Sequence, residues 1–387
     1  MNVLCVNSGS SSLKVAVHQS GAAAALVSGA VEGIGQVGAR LWLRAADGSA
    51  RLDEPCVVGD HGGATTLALD ALDRVSAPGV AAAGHRIVHG GRHFTEPARI
   101  DDALLDGLRA MADLAPLHLP PQIAAIEAVA RHAPTLPQVA CFDTAFHRRM
   151  PEIARRFPLP EWAWEEGICR YGFHGLSYEH VVDVLEPASG RVVIAHLGNG
   201  ASMAAVHDGV PVDTTMGFTP AAGVMMGTRP GDLDPGVMVH LLRHRAMGAD
   251  ELDRLITVES GLVGVSGTTS DMRTLIGVRA ADPRAARAVA MFCRSARKAI
   301  GALAAVLGGL DQLVFTGGIG ERAPVIREEI CRGLEHLGVY LDPDANAGDC
   351  AVVSVAGSVC VVRVVPTGED VVIARHTEAV VHSEPSS

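Results

Sequence analysis

Aromatic residues are scarce in this sequence, and long apolar runs are absent from it. Only 4% of the 387 residues are aromatic although 48% are hydrophobic, so we expect aliphatic, finely packed cores. No uninterrupted apolar run approaches the roughly 20 residues that span a bilayer, and no basic segment precedes an apolar stretch at the N-terminus. The sequence therefore predicts a soluble cytoplasmic protein without a membrane partner.

Two further absences narrow the class of protein. The eight cysteines are scattered without a C-x-x-C pair, and several lie in apolar segments, which is typical of buried thiols in a reducing compartment. The net charge is −11 and no run of Lys and Arg occurs, so we do not expect a nucleic-acid partner. A protein of negative net charge still binds anions where a few arginines meet in a cleft.

The length predicts two domains, because 387 residues exceed what one hydrophobic core normally supports. A segment with several prolines and two tryptophans, residues 150–167, separates the halves. We therefore expect an N-terminal domain of residues 1–148 and a C-terminal domain of residues 149–369. A last helix, within residues 370–387, is expected to pack back on the first domain.

Glycine-containing turns follow three apolar runs. Residues 3–17 and 192–206 both indicate a strand, a small polar turn and a second strand, and Gly9 aligns with Gly198. A third turn lies in LVFTGGIGE, residues 313–321. Glycines let backbone N–H groups approach a phosphate closely, so the three turns together indicate a phosphate-rich ligand. Any one of them taken alone is better explained as a tight hairpin.

Two halves that each open with such a hairpin predict a duplicated α/β fold. We expect ribonuclease H-like domains with mixed sheets and a nucleotide in the cleft between them, a layout that resembles the ASKHA superfamily of sugar kinases, chaperones and actin-like ATPases. GIGQVG at 33–38 matches a dinucleotide fingerprint, but the next residues alternate like a strand, so we reject that match. Ser177 is expected to cap a short helix.

Four residues stand out as candidates for chemistry. Arg86 ends a predicted strand among glycines, which suits a carboxylate or phosphate ligand, and Asp143 directly follows another strand, where ligand sites form in α/β sheets. His174 lies in YGFHG, and Arg229 lies in a loop of glycines and prolines. Asp143 is equally well explained as a helix cap, and a lone histidine such as His174 is more often structural.

A series of short motifs resembles the acetate kinase family. The resemblance runs in order from Asn2 to about Arg375. It implies reversible phosphoryl transfer between ATP and acetate, giving ADP and acetyl phosphate, with Mg²⁺ or Mn²⁺ as the cofactor and a homodimer as the assembly. The motifs are NSGSSSLK, GHRIVHGG, LAPLH, FDTAFH, YGFHG, HLGNG, MGFTP, GTRPGD, FTGGIGE and PTGED.

The resemblance also implies roles for individual residues. Arg86 and Arg229 would hold acetate and the transferring phosphoryl group, Asp143 matches the catalytic acid, and His174 would hydrogen-bond the phosphoryl group. The metal-site positions are Asn7 and Glu369, and the methyl pocket would be formed by Val88, Leu117, Phe173 and Pro220. The nucleotide would be held by Ser10, Ser12, Lys14, His196, Leu197, Gly198, Asn199, Gly200, Asp271, Met272, Arg273, Gly318, Ile319, Gly320, Glu321 and Arg322.

The chemistry of the reaction explains these residue types. Acetate is ionised at pH 7, so the nucleophile needs cancellation of charge repulsion rather than a strong general base. We therefore expect direct in-line transfer, with Asp143 orienting Mg²⁺ or its water. Leu119, Tyr178, Arg322 and Gly368 depart from the residues common in the family, and the last two bear on nucleotide preference and metal geometry.

Three alternatives remain open at this point. A propionate or butyrate kinase would use the same machinery, because one methylene changes selectivity by only about 1–3 kcal/mol. A nucleotide-gated binding module would belong to the same superfamily, but the chain has no spare length for a partner-binding domain. A zinc hydrolase built on His85, His89 and His93 lacks a convincing carboxylate ligand.

Overall fold

The computed structural model describes residues 1–9, 11–185, 190–348 and 350–383, and these divide into two compact units. The first unit contains Met1–Phe146 together with the segment from Gly368 onward, and the second contains His147–Thr367. The chain therefore passes from the first unit to the second, and later back to the first, two residues before each expected boundary. As a result Glu369, expected at the end of the second domain, belongs to the first unit.

The first unit is built on an eight-stranded mixed sheet in the order β5-β4-β3-β2-β1-β6-β8-β7. Strands β1 to β5 form an antiparallel meander, while β6 and β8 run parallel to β1. The elements are β1 (Asn2–Ser8), β2 (Ser12–Gln19), β3 (Val27–Glu32), β4 (Arg40–Ala45), β5 (Ala50–Pro55), α1 (His61–Arg74), β6 (Ala82–Ile87), β7 (Ala98–Arg99), α2 (Asp102–Ala110), α3 (Leu119–His132) and β8 (Gln138–Phe142).

The second unit is built on a five-stranded sheet in the order β11-β10-β9-β12-β13. Its helices and strands are α4 (Glu152–Arg155), α5 (Glu161–Glu165), α6 (Gly175–Val184), β9 (Arg191–Leu197), β10 (Ala201–His207), β11 (Val210–Thr214), α7 (Pro235–His244), α8 (Ala249–Thr257), α9 (Gly261–Ser266), α10 (Met272–Val278), α11 (Pro283–Leu307), β12 (Gln312–Thr316), α12 (Gly317–Arg322), α13 (Pro324–Cys331), α14 (Pro343–Ala347) and β13 (Val361–Val364). The chain then returns to the first unit as α15 (Glu369–Ser383).

The two sheets share one plan, which confirms the predicted duplicated α/β fold with mixed sheets. The order β3-β2-β1-β6-β8 in the first unit matches β11-β10-β9-β12-β13 in the second. In each unit the opening strand pairs antiparallel with the next strand and parallel with a later one. Adding 189 to the bounds of β1 gives those of β9, so the aligned positions of the two opening hairpins correspond.

Helix packing explains part of the glycine pattern. Helix α15 lies against β1, β6 and β8 of the first sheet. A Cβ atom at Gly84 of β6 would collide with Thr377 Oγ1 and Ile373 Cγ2 of that helix. The glycine at this position is therefore explained by the close packing of α15 on the sheet and not by a ligand. In the second unit α11 packs across β9, β10 and β11, with a row of buried alanines on its inner face.

Several local expectations were wrong. Ser177 lies inside α6, and the residue before the helix is His174, because the chain bends sharply there in a left-handed backbone conformation. The predicted third glycine turn, GGIGE at 317–321, lies within helix α12. The rejection of GIGQVG as a dinucleotide motif is confirmed, because β4 follows it rather than a helix.

Among the described residues no helix has both the length and the apolar character needed to cross a membrane.

Candidate active site

The ends of three neighbouring parallel strands bring together predicted site residues of the first unit. Asn7 lies near the end of β1, Arg86 near the end of β6, and Asp143 directly after β8. Arg86 donates from Nε (3.0 Å) and Nη2 (2.6 Å) to Asp143 Oδ2, and from Nη1 to Asn7 Oδ1 (3.1 Å). The carboxyl ends of parallel strands are where α/β sheets place ligands.

Glu369 joins the same residues from the start of α15. Asn7 Nδ2 donates to Glu369 Oε2 over 2.8 Å, and Arg86 Nη1 lies 3.7 Å from the same oxygen. The first turn of a helix favours an acidic residue, because the backbone N–H groups there carry partial positive charge. We call Asn7, Arg86, Asp143 and Glu369 the arginine–carboxylate cluster.

The arginine–carboxylate cluster holds two carboxylates against one guanidinium. Burial disfavours the charged form of Arg86, but Asp143 and Glu369 outweigh that effect and raise the pKa of Arg86 above its ordinary value. The side chain of Asp143 is completely buried, so the pair is screened little by solvent. Within these four residues two carboxylates outnumber one cation, and oxygen ligands with negative charge suit a divalent cation.

The nucleotide positions predicted in the first unit lie on and before β2. Ser12 and Lys14 belong to β2, and Lys14 is exposed. The turn before them is closed by Gly9 N–H, which donates to Ser12 O (2.8 Å), and His61 Nε2 lies 2.7 Å from Gly9 O. Ser10 lies outside the described residues.

In the second unit two histidine rings stack on each other. The rings of His174 and His196 are 4.3 Å apart between centroids and 14° from parallel. Nδ1 of His174 is hydrogen-bonded to Ser202 Oγ (2.8 Å), and Nδ1 of His196 to Ser177 Oγ (2.9 Å). Ser202 and His196 are direct cross-strand neighbours in β9 and β10, so the hairpin itself sets the stack. We call His174 and His196 the histidine pair.

His174 occupies an unusual backbone conformation. Its φ of 58° is in the left-handed region, which costs a non-glycine residue on the order of 1 kcal/mol or more. His147 supports the preceding residue, because its Nε2 donates to Phe173 O over 3.0 Å. Burial lowers the pKa of His147 to about 4, so this histidine is neutral at pH 7 and serves as a fixed hydrogen-bond donor.

Glycine at position 200 lets two polar side chains approach the turn closely. A Cβ atom on Gly200 would lie 2.9 Å from Arg229 Nη2 and 3.3 Å from His174 Nε2. The guanidinium and the imidazole nitrogen therefore converge over Gly200. We call this arrangement the Gly200 cradle. A guanidinium beside an imidazole nitrogen suits an anionic oxygen by charge.

The loop that carries Arg229 is held by backbone contacts and close-packed glycines. Arg229 Nη1 donates to Pro220 O (2.6 Å), and Gly227 N–H donates to Asn199 O (3.0 Å). A Cβ atom on Gly227 would collide with Asn199 Oδ1, and one on Gly261 would collide with the carbonyl of Met226. These glycines bring the loop directly onto the turn between β9 and β10.

The remaining nucleotide positions fall in two places of the second unit. His196 and Leu197 end β9, and Gly198, Asn199 and Gly200 form the turn to β10. Helix α12 begins beside this turn, since a Cβ on Gly317 would crowd the backbone of Leu197. The predicted residues within α12 are Gly318, Ile319, Gly320, Glu321 and Arg322. Asp271, with Met272 and Arg273, starts α10, where its carboxylate accepts from Arg273 N–H.

Glu321 and α12 have partners that the sequence did not indicate. Glu321 Oε1 accepts from the backbone N–H and the hydroxyl of Thr367, so it ties the end of the second unit to α12. Arg327 is buried and donates to the carbonyl oxygens of Gly320 and Glu321 at 2.9 and 2.8 Å. Burial lowers its pKa. A cation at the end of α12 complements the helix dipole.

Sequence reasoning missed Arg327, His147, Ser177 as a partner of His196, and Ser202. His147 was visible as the last residue of the FDTAFH motif. Ser202 has a positional signal, because residues opposite each other in a tight hairpin are close in space. Arg327 has no signal in the sequence alone.

The residues predicted for the methyl pocket divide evenly between the units. Val88 and Leu117 belong to the first unit, and Phe173 and Pro220 to the second. Phe173 and Val88 are buried, whereas 39% of Leu117 is exposed. The carbonyl oxygen of Pro220 also accepts a hydrogen bond from Arg229 Nη1. A residue predicted for the methyl pocket therefore also holds an arginine predicted for catalysis.

The histidines considered for zinc have other surroundings. His85 Nε2 pairs with Gln138 Oε1 over 2.7 Å, and burial lowers the pKa of His85 to about 4. His89 Nδ1 accepts from Gly91 N–H, and His93 is exposed. Within the described part of the chain no three His, Cys, Asp or Glu side chains gather as a metal site.

Comparisons with known proteins agree on one family. The sequence profile of the acetokinase family matches residues 2–375. The chain is similar to the acetate kinase of Rhodopseudomonas palustris, with 45% identity and 97% of both chains covered. It also resembles the crystal structure of Porphyromonas gingivalis acetate kinase, with a TM-score of 0.86, 36% identity, and 98% and 99% of the two chains covered. A propionate kinase from Francisella tularensis matches with a TM-score of 0.91 and 33% identity over 98% and 99% of the chains.

Proposed function

The chain belongs to the acetokinase family, as its motifs predicted, and we propose that it is an acetate kinase working by direct in-line transfer. It is an ATP-dependent phosphotransferase by family, and its acceptor is acetate, giving acetyl phosphate and ADP. The structural observation that supports this most is the Gly200 cradle, where Arg229 Nη2 and His174 Nε2 converge over Gly200. A transferring phosphoryl group needs such donors for the charge on its equatorial oxygens.

Acetate needs positioning more than activation in this proposal. It is already an anion at pH 7, so bringing it to ATP is opposed mainly by charge repulsion. Arg86 and Arg229 cancel that repulsion with their N–H donors, and His174 adds a donor to the phosphoryl group. No phosphoenzyme is required, because the carboxylate oxygen itself attacks phosphorus.

Asp143 has a positioning role in this scheme. Its Oδ2 accepts two hydrogen bonds from Arg86, which fixes the direction of the guanidinium. A carboxylate beside an arginine is a weak base, because the cation favours its ionised form. We therefore propose that Asp143 orients Arg86 and the metal hydration shell rather than removing a proton.

Mg²⁺, or Mn²⁺ in its place, is the proposed cofactor. The donor chemistry fits, because the Glu369 carboxylate and the Asn7 amide oxygen would serve as one or two protein ligands beside substrate phosphates. The surplus negative charge of the arginine–carboxylate cluster supports the same assignment. When bound, the ion would neutralise charge on the ATP phosphates.

ATP would be held chiefly by turns and helix starts of the second unit. We propose the end of β9 with the turn to β10, from His196 to Gly200, the start of α10 from Asp271 to Arg273, and α12 from Gly318 to Arg322. Ser12 and Lys14 of β2, together with Ser10, would contact its phosphates. Backbone N–H groups at glycine-rich turns are suited to phosphate oxygens.

A propionate kinase is the second candidate, and the likeness to a solved propionate kinase favours it over other rivals. Selectivity between the acids would depend on the residues proposed for the methyl pocket, Val88, Leu117, Phe173 and Pro220. One extra methylene changes selectivity by only about 1–3 kcal/mol, so a minor activity on propionate is expected.

A homodimer is the proposed assembly, and helices α7 and α8 supply its supporting surface. Neither helix has a fully buried residue, although Leu233, Val237, Val239, Leu242 and Val258 on and beside them are apolar and exposed. Monomeric proteins rarely leave a large contiguous apolar patch open to water. A monomeric mass by light scattering at micromolar concentration would contradict this assembly. A cytoplasmic location is proposed with it, since all eight cysteines, which lie in the described part of the chain, are thiols rather than disulfides.

The test of the function is ATP- and Mg²⁺-dependent formation of acyl hydroxamate from acetate, propionate and butyrate. We expect the highest kcat/KM for acetate and a loss of at least about 100-fold in Arg229→Ala. Arg109→Ala is the matched control, because Arg109 forms an exposed ion pair on α2. Nucleotide binding without turnover of any acid would overturn the kinase proposal in favour of a binding module.

Direct transfer has its own test. A chiral γ-phosphoryl group should arrive on acetate with inverted configuration, since one in-line displacement inverts phosphorus. Retention would indicate two displacements and therefore a phosphoenzyme.

A further inference from the structure

Tyr178 and Ser202 extend the hydrogen bonding of His174 away from the Gly200 cradle. The Tyr178 hydroxyl is hydrogen-bonded to Ser202 Oγ, and Ser202 Oγ is hydrogen-bonded to His174 Nδ1 at 2.8 Å. Both Tyr178 and Ser202 are completely buried. A chain of two hydroxyl groups therefore leads from the protein interior to the imidazole.

We propose that Tyr178 and Ser202 are positioning residues that hold His174 in the tautomer protonated at Nε2. This inference rests on the proposed function and deepens it, because it concerns how one donor of the phosphoryl site is set. In this arrangement the phenol donates to Ser202 Oγ, and the serine hydroxyl donates to His174 Nδ1. The imidazole proton then resides on Nε2, which faces the Gly200 cradle.

The direction of the chain follows from acidity and from the ligand. A phenol is a stronger hydrogen-bond donor than an aliphatic hydroxyl because it is more acidic, so Tyr178 is the donor to Ser202. Ser202 has a single proton, which is then available for the lone pair of His174 Nδ1. The opposite tautomer would leave an Nε2 lone pair where His174 and Arg229 Nη2 converge over Gly200. An anionic oxygen there would be repelled by that lone pair.

The geometry around the histidine limits other ways to orient it. The ring of His174 stacks on His196, and its backbone is held in the left-handed conformation at the start of α6. The ring of Tyr178 is itself fixed, because His147 packs edge-on against it with centroids 5.6 Å apart. A hydrogen bond to Nδ1 is the usual device by which proteins select the nitrogen that carries the proton.

The second member of the histidine pair supplies a matched control. His196 has the same arrangement, with Nδ1 on Ser177 Oγ and Nε2 towards Gly198 of the same turn. Ser177→Ala and Ser202→Ala each remove one hydroxyl from one histidine. Each variant is therefore expected to change the tautomer of its own histidine and to leave the other unchanged.

The experiment is ¹⁵N NMR of histidine-labelled protein without ligand, combined with kinetics of acetate phosphorylation. The signals of His174 are assigned by their loss in His174→Asn, a substitution chosen because asparagine tolerates the left-handed conformation. In the unmodified protein we expect His174 Nε2 to be protonated and Nδ1 to be unprotonated. Tyr178→Phe, which keeps the packed ring, and Ser202→Ala should both give tautomer-averaged signals.

Kinetics separate positioning from simple structural support. We expect Tyr178→Phe to lower kcat about 10-fold to 100-fold while KM for ATP and acetate changes by less than about threefold. A lower kcat with an unchanged tautomer would overturn the inference, and so would an altered tautomer with unchanged kcat. If the unmodified protein phosphorylates no acid, the proposed function fails. The ligand-free spectra would then still decide whether Tyr178 and Ser202 set the tautomer.

Discussion

The two opening hairpins of the molecule have the same backbone plan and carry different chemistry. Asn7 of β1 and His196 of β9 occupy equivalent positions, since the two hairpins align with a constant offset. Around Asn7 the contacts are between charges, as Arg86 meets Asp143 and Glu369. Around His196 the contacts are between stacked imidazoles and serine hydroxyls.

Under the proposed function, this difference separates two ways of binding an anionic reactant. The arginine–carboxylate cluster keeps its cation buried only because carboxylates compensate it, so stability and chemistry depend on the same groups. The histidine pair is held by ring stacking and by hydrogen bonds to serine hydroxyls. Duplication of a fold therefore fixes where site residues stand, while the residue types decide what each half contributes.

The largest expected effect is on the charged half. Asp143→Asn leaves Arg86 without its closest carboxylate, so we expect a loss of about 3 kcal/mol in the free energy of unfolding. Activity should fall at least about 1000-fold, because Arg86 also loses its orientation. Urea unfolding and hydroxamate formation check both results. An unchanged stability would show that the ion pair is solvated rather than buried.

His174→Asn makes the corresponding change in the second unit. We expect kcat to fall about 100-fold or more, because a donor to the phosphoryl group is lost. The free energy of unfolding should change by less than about 1 kcal/mol, since asparagine accepts the left-handed conformation. If this variant unfolds as readily as Asp143→Asn, the contrast between the halves is wrong.

Glycine substitutions sharpen the comparison at the level of single methyl groups. Gly200→Ala should lower kcat about 100-fold, because its Cβ would stand within 3.3 Å of both Arg229 Nη2 and His174 Nε2. Gly9→Ala is the control in the first hairpin, since its Cβ would have only ordinary contacts, at 3.4 Å or more, with Ser12. Steady-state kinetics of both variants provide the measurement. Equal losses would indicate a general turn effect rather than an occupied cradle.

Acid should lower the free energy of unfolding through both units to a similar extent. At low pH the contrast between the two halves should therefore disappear. His85 and His147 each have a pKa lowered to about 4 by burial, so unfolding below pH 6.5 takes up a proton at each. The free energy of unfolding has its full value above pH 6.5 and decreases as the pH drops towards 4. At pH 5 the decrease is up to about 2 kcal/mol per histidine. His85→Gln and His147→Gln keep the Nε2 donor and should each remove part of this pH dependence. The exposed His336→Gln should not.

The smallest expected effect concerns Lys14. The chain has two lysines, Lys14 and Lys298, and both are exposed. If Lys14 contacts the ATP phosphates, Mg-ATP should slow its acylation by a lysine-directed reagent several-fold. Lys298 on α11 serves as the internal control, and mass spectrometry measures both rates. Equal rates would remove Lys14 from the nucleotide site.

The sequence was most informative where a pattern has a local physical cause. Strand–turn–strand patterns with aligned glycines predicted the duplicated sheets, and a strand end followed by an acid predicted the position of Asp143. The start of α6 could not be predicted from the local sequence. Ser177 is a residue type that often caps helices, but the helix begins after His174, which has a left-handed backbone conformation. The hydroxyl chain from Tyr178 to His174 depends on tertiary packing. Buried Arg327 likewise has partners that lie on separate elements.

The return of the chain to its first unit at α15 has a consequence for biosynthesis. Asn7 and Glu369 contact each other across 362 positions of sequence, and Cys5 donates to the carbonyl of Asp370 across 365. A chain growing from the ribosome can complete its second unit first, while β1, β6 and β8 wait uncovered for their last helix. Completion of the first unit therefore waits until α15 has been translated, and a polypeptide released before residue 369 lacks a proposed metal ligand as well as part of a core.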